Sequence, residues 1–430
     1  MLSIIQSKLG WLTRSRLRIA ATIGVCAALA GAVFLVLPNG GGQPNKRATT
    51  ATSSTATSTS DTTTVQTTTS TTGSGVSVTS QPTTSSTTST SVSSTTTTTT
   101  AQDCPPATAA VNWTCRQQIQ AFATANGQTA ATMTATTCSP DGLCVAADGN
   151  GNIYTSTSGY GPGSWNAIKV SGANGSVSEM SCPTRSFCIG TQGNNGLLSS
   201  DDPSNPSATW TYNAWPSVVT GISCASASLC VAVDVDGDVW SSSNPGEGPA
   251  AWSKTAVQGS PFFTAISCAS GGLCVATAKG GLAAVSSSPG GGASSWSVLT
   301  VDTSPGLGSD GMNPANLINS IACPSVNLCV GADFGNNLVV SSAPTTAGSW
   351  QLVHENGAFP ESGLGGVTCA SSSCFVTQGQ GFVISSKNPG GGAAAWHTDS
   401  VSASAAFRIG CTNTSCVAID LSGGIFVGTL

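Results

Sequence analysis

The 430-residue chain reads as an all-β protein: a seven-bladed β-propeller closed by an N-terminal strand and preceded by a transmembrane helix and a disordered stalk. Three observations predict the ring. Two cysteines separated by five residues, or by four in the last two copies, recur seven times, as Cys138/Cys144, Cys182/Cys188, Cys224/Cys230, Cys268/Cys274, Cys323/Cys329, Cys369/Cys374 and Cys411/Cys416. The first cysteines of successive pairs lie 44, 42, 44, 55, 46 and 42 positions apart, and a period of roughly 40–50 residues built from short strands marks a propeller rather than a helical solenoid. A tryptophan stands 21 or 22 positions beyond the second cysteine at Trp165, Trp210, Trp252, Trp296, Trp350 and Trp396, while the last unit has none and Trp113 precedes the first pair.

Each unit consists of strand-length segments punctuated by turn residues. In the fourth, Ile266-Ser267-Cys268 and Leu273-Cys274-Val275-Ala276 are followed by a glycine pair, then Leu282-Ala283-Ala284-Val285-Ser286, then a Pro/Gly-rich turn ending at Trp296. Short apolar runs bounded by Gly and Pro are strand signals, so each unit is expected to form one four-stranded blade. Only the stretch from Trp to the next cysteine varies in length, which puts insertions in one connection per blade and on one face. The longest runs from Val301 to Asn319. Trp113 completes the count: a strand there, paired with the last unit, closes the ring and leaves no open sheet edge. The fixed register of the seven Trp predicts burial between blades, since aromatic area is the largest apolar resource in a repeat rich in Gly, Ala and Ser. Trp215 and Trp240 fall outside this register, and Trp215, entering a variable connection, is expected at an exposed contact.

The N-terminal quarter divides by composition. Residues 1–18 carry Lys8, Arg14, Arg16 and Arg18 without an acid, a basic segment expected to stay in the cytoplasm. Residues 19–38 hold an unbroken apolar or small run from Ile19 to Leu37, long enough to span a bilayer as a signal anchor and make the membrane a partner. Ala28-Leu29-Ala30 offers a small-x-small cleavage site, and cleavage there would leave the domain secreted. Residues 39–101 form the stalk: 38 of the 50 residues from Ala51 to Thr100 are Thr or Ser, a composition that cannot bury enough apolar area to offset ordering and that suits O-glycosylation. The propeller is assigned residues 102–430. It carries 7 basic and 17 acidic residues, no basic footprint for phosphates, and so no nucleic-acid partner is expected.

Export exposes the cysteines to oxidising conditions, where regular pairs form disulfides. Metal ligation is disfavoured because His354 and His397 are the sole histidines and no four-ligand zinc set emerges. Bridges are expected within each pair and between Cys104 and Cys115, which flank Trp113 and would pin the closing strand. Cys26 remains inside the apolar run. No cofactor is expected.

Ile222-Ser223-Cys224 followed by Cys230-Val231-Ala232-Val233-Asp234 resembles the units of secreted, actinobacterial-type repeat proteins that read I-S-C-P-S-x-x-L-C-V-A-x-D-x-x-G-x-V. More distantly, the chain is similar to sialidase-like propellers, whose Asp-box (neuraminidase repeat) reads Ser-x-Asp-x-Gly-x-x-Trp. Here Ser242-Ser243-Asn244-Pro245-Gly246 to Trp252, and Ser386-Lys387-Asn388-Pro389-Gly390 to Trp396, keep Ser, Gly and Trp but place Asn-Pro where the Asp would stand. The resemblance implies a propeller; the box is a structural turn in that family and implies no catalysis.

Candidate site residues lie four positions after each second cysteine: Asp148, Gln192, Asp234, Ala278, Asp333, Gln378 and Asp420. A closed ring brings these turns to one face, where Asp148, Asp234, Asp333 and Asp420, with Asp236 and Asp238, would form a negative mouth for a cation or polyhydroxy ligand. The competing reading is that Asp and Gly serve tight turns through local hydrogen bonds. A sialidase-like glycan hydrolase is the enzymatic alternative: Arg116, Arg185 and Arg408 with Tyr154, Tyr160 and Tyr212 are numerous enough for such a site, but the three arginines occupy non-equivalent places in their units. The expected function is a membrane-anchored, extracellular binding or adhesion module for a cell-surface glycan or protein; a structural envelope protein is the third reading.

Overall fold

A computed structural model describes residues 111–430 except 127–130, 171, 173–174, 194, 260–261, 309, 354–362 and 402–405. The expected basic segment, membrane anchor and stalk, together with Cys26 and Cys104, lie outside the described residues. Among those described, no helix is long and apolar enough to cross a membrane.

Seven antiparallel sheets form the ring, one per cysteine unit, with strands added in chain order. Blade three is typical: Val219–Ser226, Leu229–Asp234, Asp238–Ser242 and Ser253–Ala256. First strands of successive blades pack side by side, and the first strand of blade seven meets that of blade one. Second strands are buried along all or nearly all of their length, as in Cys144–Asp148 and Cys274–Ala278. Neighbouring blades cover both faces of such a strand, so small apolar residues run continuously instead of alternating. Fourth strands lie at the rim, and most of the residues of Ser253–Ala256 are exposed.

Ring closure takes the expected form. Blade seven holds Ala406–Cys411, Ser415–Asp420 and Gly424–Thr429, and its fourth strand is Asn112–Trp113, with Asn112 opposite Thr429 and Trp113 opposite Gly428. A further short strand, Gln117–Gln118, pairs with Ile425 and Gly424 on the same edge. Beyond it the chain makes a helix, Gln120–Asn126, which the strand-based reading does not anticipate. Its Phe122 packs on Tyr154 with ring centroids 5.9 Å apart.

Between blades lie seven apolar clusters, and the register Trp anchor them. Trp210 of blade two packs with Val145 and Ile153 of blade one, Trp296 with Val231 and Val239 of blade three, and Trp113 with Phe375 and Val383 of blade six. The indole N–H groups of Trp252, Trp296 and Trp350 donate to the carbonyls of Pro245, Pro289 and Pro344 at 3.4, 3.3 and 3.2 Å. The Pro that follows the position of the Asp-box acid therefore closes the turn through its backbone.

The serine ahead of the first cysteine in blades two, three and four also has a mechanical role. Ser181, Ser223 and Ser267 each accept from the amide of the next blade's cysteine, Cys224, Cys268 and Cys323, at 3.0, 2.9 and 2.8 Å. In blade five the position is Ala322, and Ser320 takes over by accepting from Val367 at 2.9 Å. At the seam between blades seven and one the residue is Gly410, where a Cβ would stand 2.7 Å from the Cys138 nitrogen. Only a residue without a side chain permits that approach.

All seven repeat disulfides are present, with Cα–Cα distances from 3.9 to 4.2 Å. Each clips the first strand of a blade to the second. Cys138 and Cys144, Cys224 and Cys230, and Cys268 and Cys274 lie directly opposite in the ladder, whereas Cys182–Cys188 and Cys323–Cys329 span a register shift. The two shorter spacings close in the same way, with Cys369 opposite Cys374 and Cys411 opposite Cys416. In every blade the second cysteine is fully buried: Cys144, Cys188, Cys230, Cys274, Cys329, Cys374 and Cys416. These sulfurs belong to the fold and offer nothing to a ligand, because the second strand is covered on both faces by neighbouring blades. Cys115 is disulfide-bonded; its expected partner, Cys104, is outside the described residues.

Candidate functional site

The turns between second and third strands share one face of the ring, and their Asp side chains point back into the protein. Asp148, Asp234 and Asp333 are fully buried and Asp420 is 1 % exposed. In each the carboxylate caps its own turn. Asp234 Oδ1 accepts from the Asp236 and Asp238 amides at 3.0 and 2.9 Å, and Oδ2 from the Trp240 indole at 2.9 Å. Asp148 likewise accepts from the amides of Asn150 and Asn152 and from the Tyr154 hydroxyl, at 2.9, 2.9 and 2.7 Å. Asp420 takes the Ser422 and Gly424 amides, both at 2.8 Å, and pairs with Arg116 at 2.6 Å. Three residues on, the chain turns through positive φ at Gly151, Gly237 and Gly423 (76°, 84° and 81°), so Asp and Gly together set the turn.

Asp236 and Asp238 complete the densest acidic group. Oxygen atoms of Asp234, Asp236 and Asp238 lie within 4.8 Å of one another. All three are already engaged: Asp234 by its turn, Asp238 by Lys254, 2.7 Å away, and Asp236 by the Ser217 hydroxyl, which donates to its Oδ2 at 3.4 Å. Asp236 is exposed. Gln192, Ala278 and Gln378 occupy the corresponding positions in blades two, four and six, so the seven turns are not chemically uniform.

On the same face, the long connection between blades four and five is ordered by its own bonds. Gly308 donates to the Asn313 carbonyl at 2.7 Å, and Asp310 accepts from the Met312 and Asn313 amides at 2.9 and 3.0 Å. It docks on the blade-five turn: Phe334 donates to Leu317 and Gly335 to Ala315, at 3.2 and 3.0 Å. Gly308 sits so close to Phe334 that a Cβ would fall 2.5 Å from its carbonyl oxygen. Leu307 and Met312 point outward, 64 % and 51 % exposed.

At the base of this insertion two acids meet in the interior. Asp302 is 1 % exposed, and its Oδ1 accepts from the Ser304 amide at 2.8 Å. Asp333 accepts from the Asn337 amide and side chain at 2.7 and 2.6 Å and from the Ser304 hydroxyl at 3.3 Å. Burial, and then the neighbouring Asp302 carboxyl, push Asp333 up to about 8. The repeat spacing marks Asp333 but not its neighbour Asp302, because Asp302 belongs to an insertion that has no counterpart in the other units.

Two further expectations meet the tertiary structure here. Trp215 is not exposed: at 3 % accessibility it stacks edge-on against Trp240 and Trp252, with centroids 5.2 and 5.3 Å away. The variable connection folds inward at that point because three indoles bury more apolar area together than apart. The arginines go to separate partners: Arg116 to Asp420 and Arg408 to Glu179, 3.7 Å away, while the Arg185 backbone amide donates to Asp141 at 3.1 Å. Tyr154 and Tyr160 donate to Asp148 and to the Gly142 carbonyl, at 2.7 and 3.0 Å.

No family model matches the chain, and no curated protein matches it. Among solved structures it is similar to YCF48 bound to D1 peptide (13 % identity, TM-score 0.54, covering 77 % of this chain and 99 % of that one). It is also similar to YCF48 from Cyanidioschyzon merolae (13 %, 0.53, 74 % and 98 %) and to U3-55K (11 %, 0.55, 70 % and 96 %). At such identities the likeness is one of fold. These neighbours are propellers and not specifically sialidases, so the resemblance to sialidase-like proteins reduces to the propeller architecture itself.

Proposed function

We propose that this chain is an exported binding module, anchored through residues 19–38, carried on the 39–101 stretch, and docking a protein partner on the face bearing the second-to-third-strand turns. One observation carries the reading: Leu307 and Met312 are the most exposed large apolar side chains among the described residues, and both project from a single insertion tied down by internal hydrogen bonds. Apolar side chains on an ordered loop, one of them an adaptable Met, suit a protein surface. The Asp residues of this face serve that function by holding the turns in shape, leaving Asp236 as the accessible acid. Seven disulfides support an oxidising compartment, and a propeller of like fold, YCF48, has been solved with a peptide.

Site-specific photo-crosslinking tests the reading. A benzophenone side chain at position 307 of the full-length protein on intact cells should form an adduct with one protein. The same group at position 326 should not, because Val326 lies at the opposite end of blade five's second strand, Leu328–Asp333. Met312→Asp should abolish the adduct. Equal labelling from both positions, or an adduct indifferent to Met312→Asp, refutes docking on this face.

A further inference from the structure

The insertion that presents Leu307 and Met312 is fastened at its base by the two buried acids, and their surroundings contain one mismatch. Asp302 Oδ2 is buried and receives no hydrogen bond, although Ser304 ties the two acids together, its amide donating to Asp302 Oδ1 at 2.8 Å and its hydroxyl to Asp333 Oδ2 at 3.3 Å. Carboxylate oxygens only accept, so two ionised groups in contact leave each other unsatisfied and repel. No positive group among the described residues packed around them compensates. On the insertion itself the other charged group is Asp310, spent on its own turn. From the blade-four turn comes Lys279, whose ammonium sits over the Phe262 ring at 4.6 Å. The blade-five turn contributes only Phe334, Gly335, Asn336 and Asn337 beside Asp333. One proton held between the carboxyls supplies the missing donor and removes one charge, and such a pair titrates as a unit.

We propose that Asp302 and Asp333 form a proton latch: with a proton shared between them the insertion lies closed on blade five, and loss of that proton frees it. The proposal rests on the docking reading and names its regulation, since the latched segment, residues 302–308 and 310–317, carries Leu307 and Met312. Ser304 and Asn337 belong to the same unit, because the Asn337 amide donates to Ser304 Oγ at 2.9 Å while Ser304 donates to Asp333. The direction follows from proton linkage. Asp333 holds its proton up to about 8 when closed and near the ordinary carboxyl value of about 4 when open. The closed form therefore binds the extra proton, and its advantage is greatest below pH 4, falls as pH rises towards 8, and levels off above. An acidic medium orders the docking loop, and a mildly alkaline one loosens it.

Hydrogen exchange by mass spectrometry on the full-length protein, corrected for intrinsic exchange, reads the latch without any partner. Protection of amides in 303–316 should fall at least tenfold between pH 5.5 and 7.5, the ceiling for one proton being about tenfold per pH unit, while second-strand amides stay unchanged. Asp302→Asn keeps an oxygen for the Ser304 amide and puts N–H donors where Oδ2 has none; Asp333 stays buried but no longer faces a second carboxyl, so the pH slope should shrink well below that of the wild type. A flat wild-type profile overturns the latch, as does a slope of undiminished size in Asp302→Asn. So does protection that tracks added calcium instead of pH, which would make the two acids cation ligands. None of these outcomes depends on partner binding; failure of the crosslinking test would leave the latch standing, and failure of the latch would leave docking standing.

Discussion

Replacing Asp234 by Asn should destabilise the propeller substantially more than the same change at Asp148, although both carboxylates are fully buried and both cap equivalent turns. The difference lies in what faces Oδ2. At Asp234 it is the Trp240 indole, 2.9 Å away, which can only donate. At Asp148 it is the Tyr154 hydroxyl at 2.7 Å and the Asn152 amide at 2.8 Å, both of which can reverse, the hydroxyl by rotating and the amide by flipping. With Asn at either site the side-chain oxygen can keep the two backbone amides. The new NH2 then meets a donor at 234 and convertible groups at 148. Loss of the negative charge weakens the retained bonds in both variants and largely cancels. What remains is one buried donor left unsatisfied, Trp240 being 8 % exposed, and such a group costs about 1–3 kcal/mol. Urea unfolding followed by tryptophan fluorescence should therefore place Asp234→Asn roughly 1–3 kcal/mol below Asp148→Asn. In a Trp240→Phe background, with no indole to strand, the excess should vanish. Equal losses at the two sites, or an excess that survives Trp240→Phe, would show that the turn is held by something other than this donor geometry.

Other consequences follow from the same contacts. Deleting residues 102–116 removes the Asn112–Trp113 strand and leaves Gly428 and Thr429 unpaired at the edge of blade seven; thermal unfolding should shift downward, and an unchanged midpoint would refute closure by this strand. Gly410→Ala sets a Cβ against backbone of blade one and should cost about 1–3 kcal/mol as overpacking, whereas Gly390→Ala, with nothing within 4 Å of its Cβ position, should be silent; similar effects from the two would dismiss the seam contact. Peptide mapping of the exported protein should recover the seven bridges within blades, each worth roughly 2 kcal/mol by the chain-entropy model; bridges between blades would contradict the assignment. Thermal stability should be lower at pH 8 than at pH 5, because Asp333 keeps its proton in the folded state up to about 8 but not in the unfolded chain; a midpoint that does not fall over this interval would mean that the pair is ionised in the folded state.

Repetition made the architecture legible. Seven copies of one cysteine spacing and one Trp register imply seven equivalent blades, because a repeat that cannot bury its own faces must stack on its neighbours. The same reasoning places Trp113 in blade seven and buries the register Trp between blades, as Trp210, Trp296 and Trp113 are. Disulfides were readable for a related reason: a spacing this short brings two cysteines opposite one another only across a hairpin, as at Cys268 and Cys274 or, one residue shorter, at Cys369 and Cys374.

Features without a repeat were not readable. The helix Gln120–Asn126 and the inward fold of Trp215 occur once each, in segments where no second copy averages out chance composition. Spacing located the acidic turns correctly but not the direction of their side chains. Four Asp at matching positions of the ring are compatible both with a charged mouth and with four capped turns, and the choice depends on whether local donors stand within hydrogen-bond reach. For Asp234 those donors are two amides of its own turn and an indole on the next strand. For Asp333 one is Ser304, from a connection unique to one blade. Local periodicity alone therefore determined the ring, its closure and its covalent clips. Which acids are spent on the fold, which pair shares an interior site, and which apolar side chains remain outside were decided by the tertiary structure, because hydrogen-bond satisfaction and burial depend on groups that only the closed ring brings together.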